Sequence, residues 1–299
     1  RPDKPLAIMV KDSASARKYC YLSDEEEKLL TSVEHPIVLL RQKAGSPLAQ
    51  NLAPAIGDIG LMLPYTPLHQ LLFEQPGCPE ALVMTSGNLS DEPQAIANAD
   101  ARQRLGSIED YLLLHDREIV NRVDDSVVRV INGRERILRR ARGYAPASLP
   151  LPAGFGKTPA ILALGGELKN SFCLVHHGEA ILSQHMGDLE DFSTFGDYLK
   201  NLDLYARLYR HEPDIIAIDA HPDYLSSKHG RELAARNSRQ LQEIQHHHAH
   251  IASCLAENGH SRYAGPVIGV ALDGLGYGID GTIWGGEFLV ADYLDARRI

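Results

Sequence analysis

The sequence predicts a two-part α/β protein, and three observations predict it. Short apolar runs rich in Val, Ile and Leu alternate with stretches of helical periodicity. A proline-rich stretch, Ala145-Pro146-Ala147-Ser148-Leu149-Pro150-Leu151-Pro152-Ala153-Gly154, breaks that alternation near the middle, and proline neither donates to a strand ladder nor continues a helix. Beyond the break the order of elements changes. At 299 residues the chain has room for two domains of about 100–200 residues each. Its 44% hydrophobic and 23% charged content is that of a globular protein with a packed core.

In the first part, residues 6–10, 37–40, 81–84, 111–114 and 127–131 are apolar runs expected as strands. Residues 12–19, 24–30, 67–73 and 92–105 are expected as helices between them. Ser23, with Glu26 three residues on, has the form of a capping box. The proline-rich stretch divides a first domain over 1–146 from a second over 159–299, with 147–158 as linker.

The second part has a different rhythm. Strands are expected in quick succession at 160–164, 171–176 and 179–184, turned by Gly165-Gly166 and His177-Gly178. An amphipathic helix over 192–210 follows, with Tyr198, Leu202, Tyr205 and Tyr209 recurring near the helical period. Strand 215–219, helix 222–235, strand 241–245 and helix 247–257 complete one unit. A further strand opens at Pro266, and 282–290 reads as its hairpin-like partner. A β-β-β-α-β-α-β-α unit followed by the start of another is the pattern of actin/Hsp70-type nucleotide-binding domains, which hold phosphates between two such units. The second unit is expected to be incomplete at Ile299. The chain opens on Arg1-Pro2-Asp3-Lys4-Pro5 without Met, and is expected to be an excerpt of something longer.

A formal net charge of −9 argues against bulk binding to nucleic acid or anionic membrane, both of which need a basic footprint. Arg134, Arg136, Arg139, Arg140 and Arg142 are a local exception, read either as a polyphosphate grip or as a solvated face. Cys20, Cys78, Cys173 and Cys254 lie far apart without C-x-x-C spacing, which excludes a zinc ribbon here and predicts reduced thiols in the cytoplasm. No apolar run approaches the roughly 20 residues that span a bilayer, and no secretory leader is visible.

The most informative run is Gln245-His246-His247-His248-Ala249-His250. A helix places residues four apart on one face, so His246 and His250 can offer two imidazoles to one ion. His247 with His250 is the rival register, and a solvated polyhistidine loop is the bland reading. Residues 266–272 read as a buried strand that leads into Asp273-Gly274-Leu275-Gly276-Tyr277-Gly278-Ile279-Asp280-Gly281. A strand-end carboxylate followed by close-set glycines lets backbone N–H groups cradle phosphate, and Asp273 could add a hard oxygen to the same ion. A plain hairpin is the alternative for the glycines.

Assembled, these features resemble the HypF family of hydrogenase-maturation carbamoyltransferases along essentially the whole chain. Residues 1 to about 144 resemble its YrdC-like domain. The motifs there are Arg1-Pro2-Asp3-Lys4-Pro5-Leu6-Ala7, Leu63-Pro64-Tyr65-Thr66-Pro67-Leu68-His69, Thr85-Ser86-Gly87-Asn88 and Asn121-Arg122-Val123-Asp124-Asp125-Ser126-Val127. Residues from about 159 resemble the carbamoyltransferase domain related to tRNA threonylcarbamoyl-transfer enzymes. They carry Gly165-Gly166-Glu167-Leu168-Lys169-Asn170, the histidine run, and 273–286 with Trp284-Gly285-Gly286. The resemblance implies an α/β YrdC-like domain followed by an incomplete actin/Hsp70-like domain.

The resemblance also implies a two-step reaction. One domain joins a carbamoyl group, derived from carbamoyl phosphate, to AMP from ATP with Mg²⁺, releasing pyrophosphate. The other passes it to the C-terminal Cys thiolate of HypE, where it becomes a cyanide ligand. On this resemblance the family's acylphosphatase and zinc-finger parts, and the opening strand of its YrdC domain, are expected to lie outside residues 1–299. Thr85, Ser86 and Asn88 are then expected to hold the adenylate, with Arg1, Lys4 and Arg140 offsetting phosphoryl charge. Asp124 and Asp125 are either Mg²⁺ ligands or turn caps. His246, His250 and Asp273 are expected to bind one Zn or Fe ion. Asp273 and Lys169 are the expected catalytic groups, and Asn170, Gly274, Gly276 and Asp280 the expected nucleotide contacts beside them. A tRNA threonylcarbamoyl enzyme, an antibiotic O-carbamoyltransferase and a non-catalytic nucleotide-binding scaffold share parts of this pattern. The acidic balance counts against the first, and the domain order against the second.

Overall fold

A computed structural model describes residues 5–54, 56–89 and 92–299. The chain divides into two compact units, Arg1–Ala145 and Pro146–Ile299.

The first unit runs β1 (Ala7–Val10), α1 (Ser13–Tyr19), α2 (Asp24–Leu30), β2 (Ile37–Arg41), a 3₁₀ turn at Gln50–Leu52, β3 (Asp58–Met62), α3 (Pro67–Phe73), β4 (Ala81–Met84), α4 (Asn98–Leu105), β5 (Val127–Ile131) and β6 (Arg134–Arg139). Its strands form one mixed sheet in the order β4-β1-β3-β2-β5-β6. The side chain of Asp12 accepts from Ser15 N–H to start α1, and Ser23 and Glu26 complete the capping box of α2. Ala16, Tyr19 and Leu30 then pack on Ile8, Val10, Val38, Leu40, Ile59, Leu61 and Val128 of the sheet.

Four features depart from the sequence reading. β3, not foreseen, lies inside the sheet. Its Gly60 is required there, since a Cβ would come 2.8 Å from Ile37 Cγ2. The arginine-rich stretch is partly β6, an edge strand whose charges discourage further pairing. Residues 111–114 form no strand; Tyr111 and Leu113 stand 94% and 73% exposed, and the run pairs with no neighbour. The helix expected from 92 begins only at Asn98. Extended bonds hold the preceding residues, from Ala95 N–H to Gly87 O at 2.9 Å and from Arg122 Nε to Gln94 O at 2.6 Å.

The second unit runs β7 (Ser148–Pro150), β8 (Ile161–Ala163), β9 (Cys173–His176), β10 (Glu179–Leu182), α5 (Phe192–Tyr209), β11 (Ile215–Asp219), α6 (Leu225–Asn237), β12 (Gln240–Ile244), α7 (His246–Glu257), β13 (Val267–Tyr277), β14 (Ile283–Ala291) and β15 (Ala296–Arg298). One sheet has the order β12-β11-β8-β9-β10-β7, with β8, β11 and β12 parallel. Tyr198 and Tyr205 of α5 and Ala234 of α6 pack on its Leu162, Leu174, Ile216 and Ile218. The other sheet has the order β13-β14-β15, covered by Ile251 and Leu255 of α7.

The expected linker is in part β7. Proline is tolerated because β7 is an edge strand, with Pro150 opposite Glu179 and Leu149 opposite Ala180. The glycine-rich segment after residue 272 is not a free loop. β13 runs on to Tyr277, its register against β14 shifting between Leu272 and Gly276. Among the described residues, no helix is long and apolar enough to cross a membrane.

Candidate metal centre

The side chain of Gln245 caps α7, its Oε1 accepting from His248 N–H at 2.8 Å. Helix therefore begins at His246, and His246 and His250 stand one turn apart on one face. The other two histidines turn toward the hairpin. His247 is fully buried with Nε2 at 2.7 Å from Gly285 O, and His248 Nε2 lies 2.8 Å from Asp292 O. That removes the rival register, because the ligating nitrogen of His247 is engaged inside the fold.

Asp273 arrives from the irregular stretch of β13. Its Oδ2 lies 2.9 Å from His246 Nε2 and 3.6 Å from His250 Nε2, and the two imidazole Nε2 atoms are 3.2 Å apart. Among the described residues this is the only group of three or more His, Cys, Asp or Glu donors lying within 4.8 Å of one another. Zinc bonded to nitrogen and oxygen at about 2.0–2.2 Å in a tetrahedron holds its donors roughly 3.4 Å apart. The three separations straddle that spacing, so the donors fit one small divalent ion. Two imidazoles and a carboxylate suit Zn or Fe alike.

Charge around the trio is uneven. The hydrogen bond to Asp219 holds His246 above its ordinary value of 6.5, against the opposing pull of burial. Burial, then the neighbouring His246, pushes His250 down. Burial works to raise Asp273, yet the Gly274 N–H and the histidines hold it below the usual carboxylate value.

Asp219, at the end of β11, was not singled out in the sequence. Its Oδ2 accepts from His246 Nδ1 at 2.6 Å. A carboxylate at the C-terminal end of a parallel strand, where α/β sheets commonly bind ligands, was the available signal. Tyr224 and His221 stack at 4.0 Å with planes 10° apart. With Glu167, Leu168, Glu190 and Asp223 they line a cavity of about 280 Å³. Gly166 borders both sites, since a Cβ there would lie 3.7 Å from His246 Cε1 and 3.9 Å from Tyr224 Cε2.

Several expected nucleotide contacts also have structural work. Asn170, 2% exposed, donates from Nδ2 to Leu164 O and Gly166 O at 3.0 and 2.6 Å. Gly276 makes room for His247, whose Cε1 would lie 2.1 Å from a Cβ. Asp280 organises the β13–β14 turn, its Oδ1 accepting from Thr282 N–H, Thr282 Oγ1 and Trp284 Nε1 at 3.1, 2.7 and 3.0 Å. Gly274 has open space around it, and Lys169 is exposed in a turn with φ of 50°.

In the first unit, Thr85 and Ser86 are exposed just after β4. Among the described residues the buried Oδ1 of Asn88 has no hydrogen-bond partner, while its Nδ2 donates to Leu89 O at 2.7 Å. Arg140 donates to Tyr144 O at 2.8 Å. Asp125 is paired with Arg142 at 2.8 Å, and Asp124 Oδ1 accepts from Gln94 Nε2 at 2.7 Å. Arg1 and Lys4 lie outside the described residues.

Comparison with known proteins covers most of the chain. The family model described as "Telomere recombination" matches residues 1–141, "HypF Kae1-like domain" matches 156–257, and "Carbamoyltransferase, Kae1-like Domain, second subdomain" matches 269–299. The chain is 45% identical over 299 residues to carbamoyltransferase HypF of Rhodobacter capsulatus, covering 100% of the chain and 40% of that protein. It is 44% identical over 316 aligned residues to carbamoyltransferase HypF2 of Cupriavidus necator, covering 100% of the chain and 38% of that protein. Among solved structures, full-length HypF in a phosphate- and nucleotide-bound form matches with a TM-score of 0.90 at 45% identity, over 100% of this chain and 38% of that one. The chain thus spans about two fifths of the length of these relatives.

Proposed function

Because the chain belongs to the HypF carbamoyltransferase family, we propose that it serves ATP-dependent carbamoyl transfer in [NiFe]-hydrogenase maturation. In this reading the first unit forms carbamoyl-adenylate from ATP and a carbamoyl group derived from carbamoyl phosphate. The second unit passes that group to the C-terminal Cys thiolate of HypE, and the work takes place in the cytoplasm. The observation that carries the reading is the convergence of His246, His250 and Asp273 on one point, in a chain related to carbamoyltransferases along its whole length.

The residues divide the labour as follows. His246, His250 and Asp273 hold one Zn or Fe ion. An ion so held supplies Lewis acidity toward a carbonyl or phosphate oxygen. Lys169, exposed beside the Gly165-Gly166 turn, offsets phosphate charge, and Gly274 offers open backbone to the same group. In the first unit Thr85 and Ser86 present hydroxyls after a strand end, and Asn88 keeps an unused carbonyl oxygen for a donor on the adenylate or carbamoyl group. Arg140, with Arg1 and Lys4, balances the triphosphate, which arrives with Mg²⁺. The nucleotide-bound HypF structure supports a nucleotide as ligand of this family.

The test combines the chain with ATP, carbamoyl phosphate, a separate acylphosphatase to release carbamate, and HypE. Pyrophosphate release together with carbamoylation of the HypE C-terminal Cys is the expected result. Carbamoylation of tRNA or a small alcohol in place of HypE would overturn the choice of acceptor. ATP consumption with no carbamoyl product would overturn the reaction.

A further inference from the structure

We infer that Asp219 is the positioning residue of the metal centre, fixing the His246 ring through Nδ1 so that only Nε2 faces the ion. The inference rests on the metal reading above. Asp219 is 9% exposed, and both carboxylate oxygens are engaged. Oδ1 accepts from His221 N–H at 2.8 Å and Oδ2 from His246 Nδ1 at 2.6 Å. Its backbone carbonyl accepts from the fully buried Ser227 Oγ at 2.8 Å, which ties the end of β11 to α6. With both carboxylate oxygens bonded and the backbone of the same residue tied to α6, the carboxylate is held in place, and the imidazole bonded to it is held with it.

The geometry on the far side of the ring is complementary. His246 Nε2 points to the place where Asp273 Oδ2 and His250 Nε2 meet, at 2.9 and 3.2 Å. The two histidines differ in support. The His246 side chain is 20% exposed and backed by a buried carboxylate. The His250 side chain is 56% exposed, and its hydrogen bonds and ion pairs among the described residues involve Nε2 alone. Metal-bound imidazoles that donate their other N–H to a carboxylate have a fixed tautomer and a stronger donor nitrogen. The two donors sit on different oxygens of Asp219, so asparagine, with its NH₂ in place of one of them, can keep only one of the two bonds in this geometry.

Asp219→Asn and Asp219→Ala in the whole chain test this, with Zn²⁺ alone as probe. Competition against a chromophoric chelator should find zinc bound roughly 10- to 100-fold more weakly in both variants than in the parent. Nitrogen-15 spectra of the zinc-loaded parent should show His246 protonated at Nδ1 and coordinated through Nε2. Two folded variants that bind zinc within about twofold of the parent, or coordination through Nδ1 in the parent, would overturn the assignment. If Asp219→Ala does not fold, Asp219→Asn and the spectra of the parent decide the matter. A parent chain that takes up no zinc overturns the metal reading itself, and this inference with it.

Discussion

Gly276 has no Cβ because the His247 ring fills that space. Gly276→Ala should therefore destabilise the fold by about 1–3 kcal/mol, the cost of overpacking. Gly274→Ala, with nothing within 4 Å, should be nearly neutral in the same urea titration; equal effects would contradict the packing argument. His246 gives a pH prediction. Its value is raised above 6.5, mainly by the bond to Asp219, so the stabilisation it gives the metal-free fold is complete below about pH 6.5. It is lost as pH rises through the folded value. His246→Ala should thus cost the metal-free chain more stability near about pH 6 than near about pH 8.5, and a pH-independent loss would contradict this. At this scale the sequence was legible where chemistry follows spacing, as with His246 and His250. A glycine beside a phosphate and a glycine beside a ring look alike in sequence, so the room that Gly276 leaves for His247 was not legible there. Asp219 lies 27 residues from its histidine partner, and no local pattern joins them.

At the scale of elements, α6 begins without a side-chain cap from its N-cap residue, Tyr224. Glu167 supplies one from another turn, its Oε2 accepting from Leu225 N–H at 2.8 Å. Glu167→Ala should therefore cost about 1–2 kcal/mol, in the range of a lost helix cap. A change within experimental error would show that water replaces the cap. The helices with strong local signals were readable: Ser23 and Glu26 set the start of α2, and the tyrosine period marks α5. Elements whose existence depends on a neighbour were not. β7 is a strand because β10 offers it an edge, and β6 is a strand because β5 offers it an antiparallel partner. Residues 111–114 have strand-like composition and no partner, so they remain irregular.

At the scale of the molecule, each unit has its own core, and all three candidate metal donors belong to the second. A fragment of residues 146–299 should bind zinc as tightly as the whole chain; a loss beyond about tenfold would mean that the centre draws on the first unit. The two-part α/β organisation could be read because proline and the change of element order mark it. The central claim is that two imidazoles and one carboxylate share an ion, and metal content tests it most directly. Elemental analysis of the chain after loading with Zn²⁺ or Fe²⁺ and gel filtration should find one ion per chain. It should find essentially none in the His246→Ala/His250→Ala double variant. Equal metal in the two proteins would contradict the account.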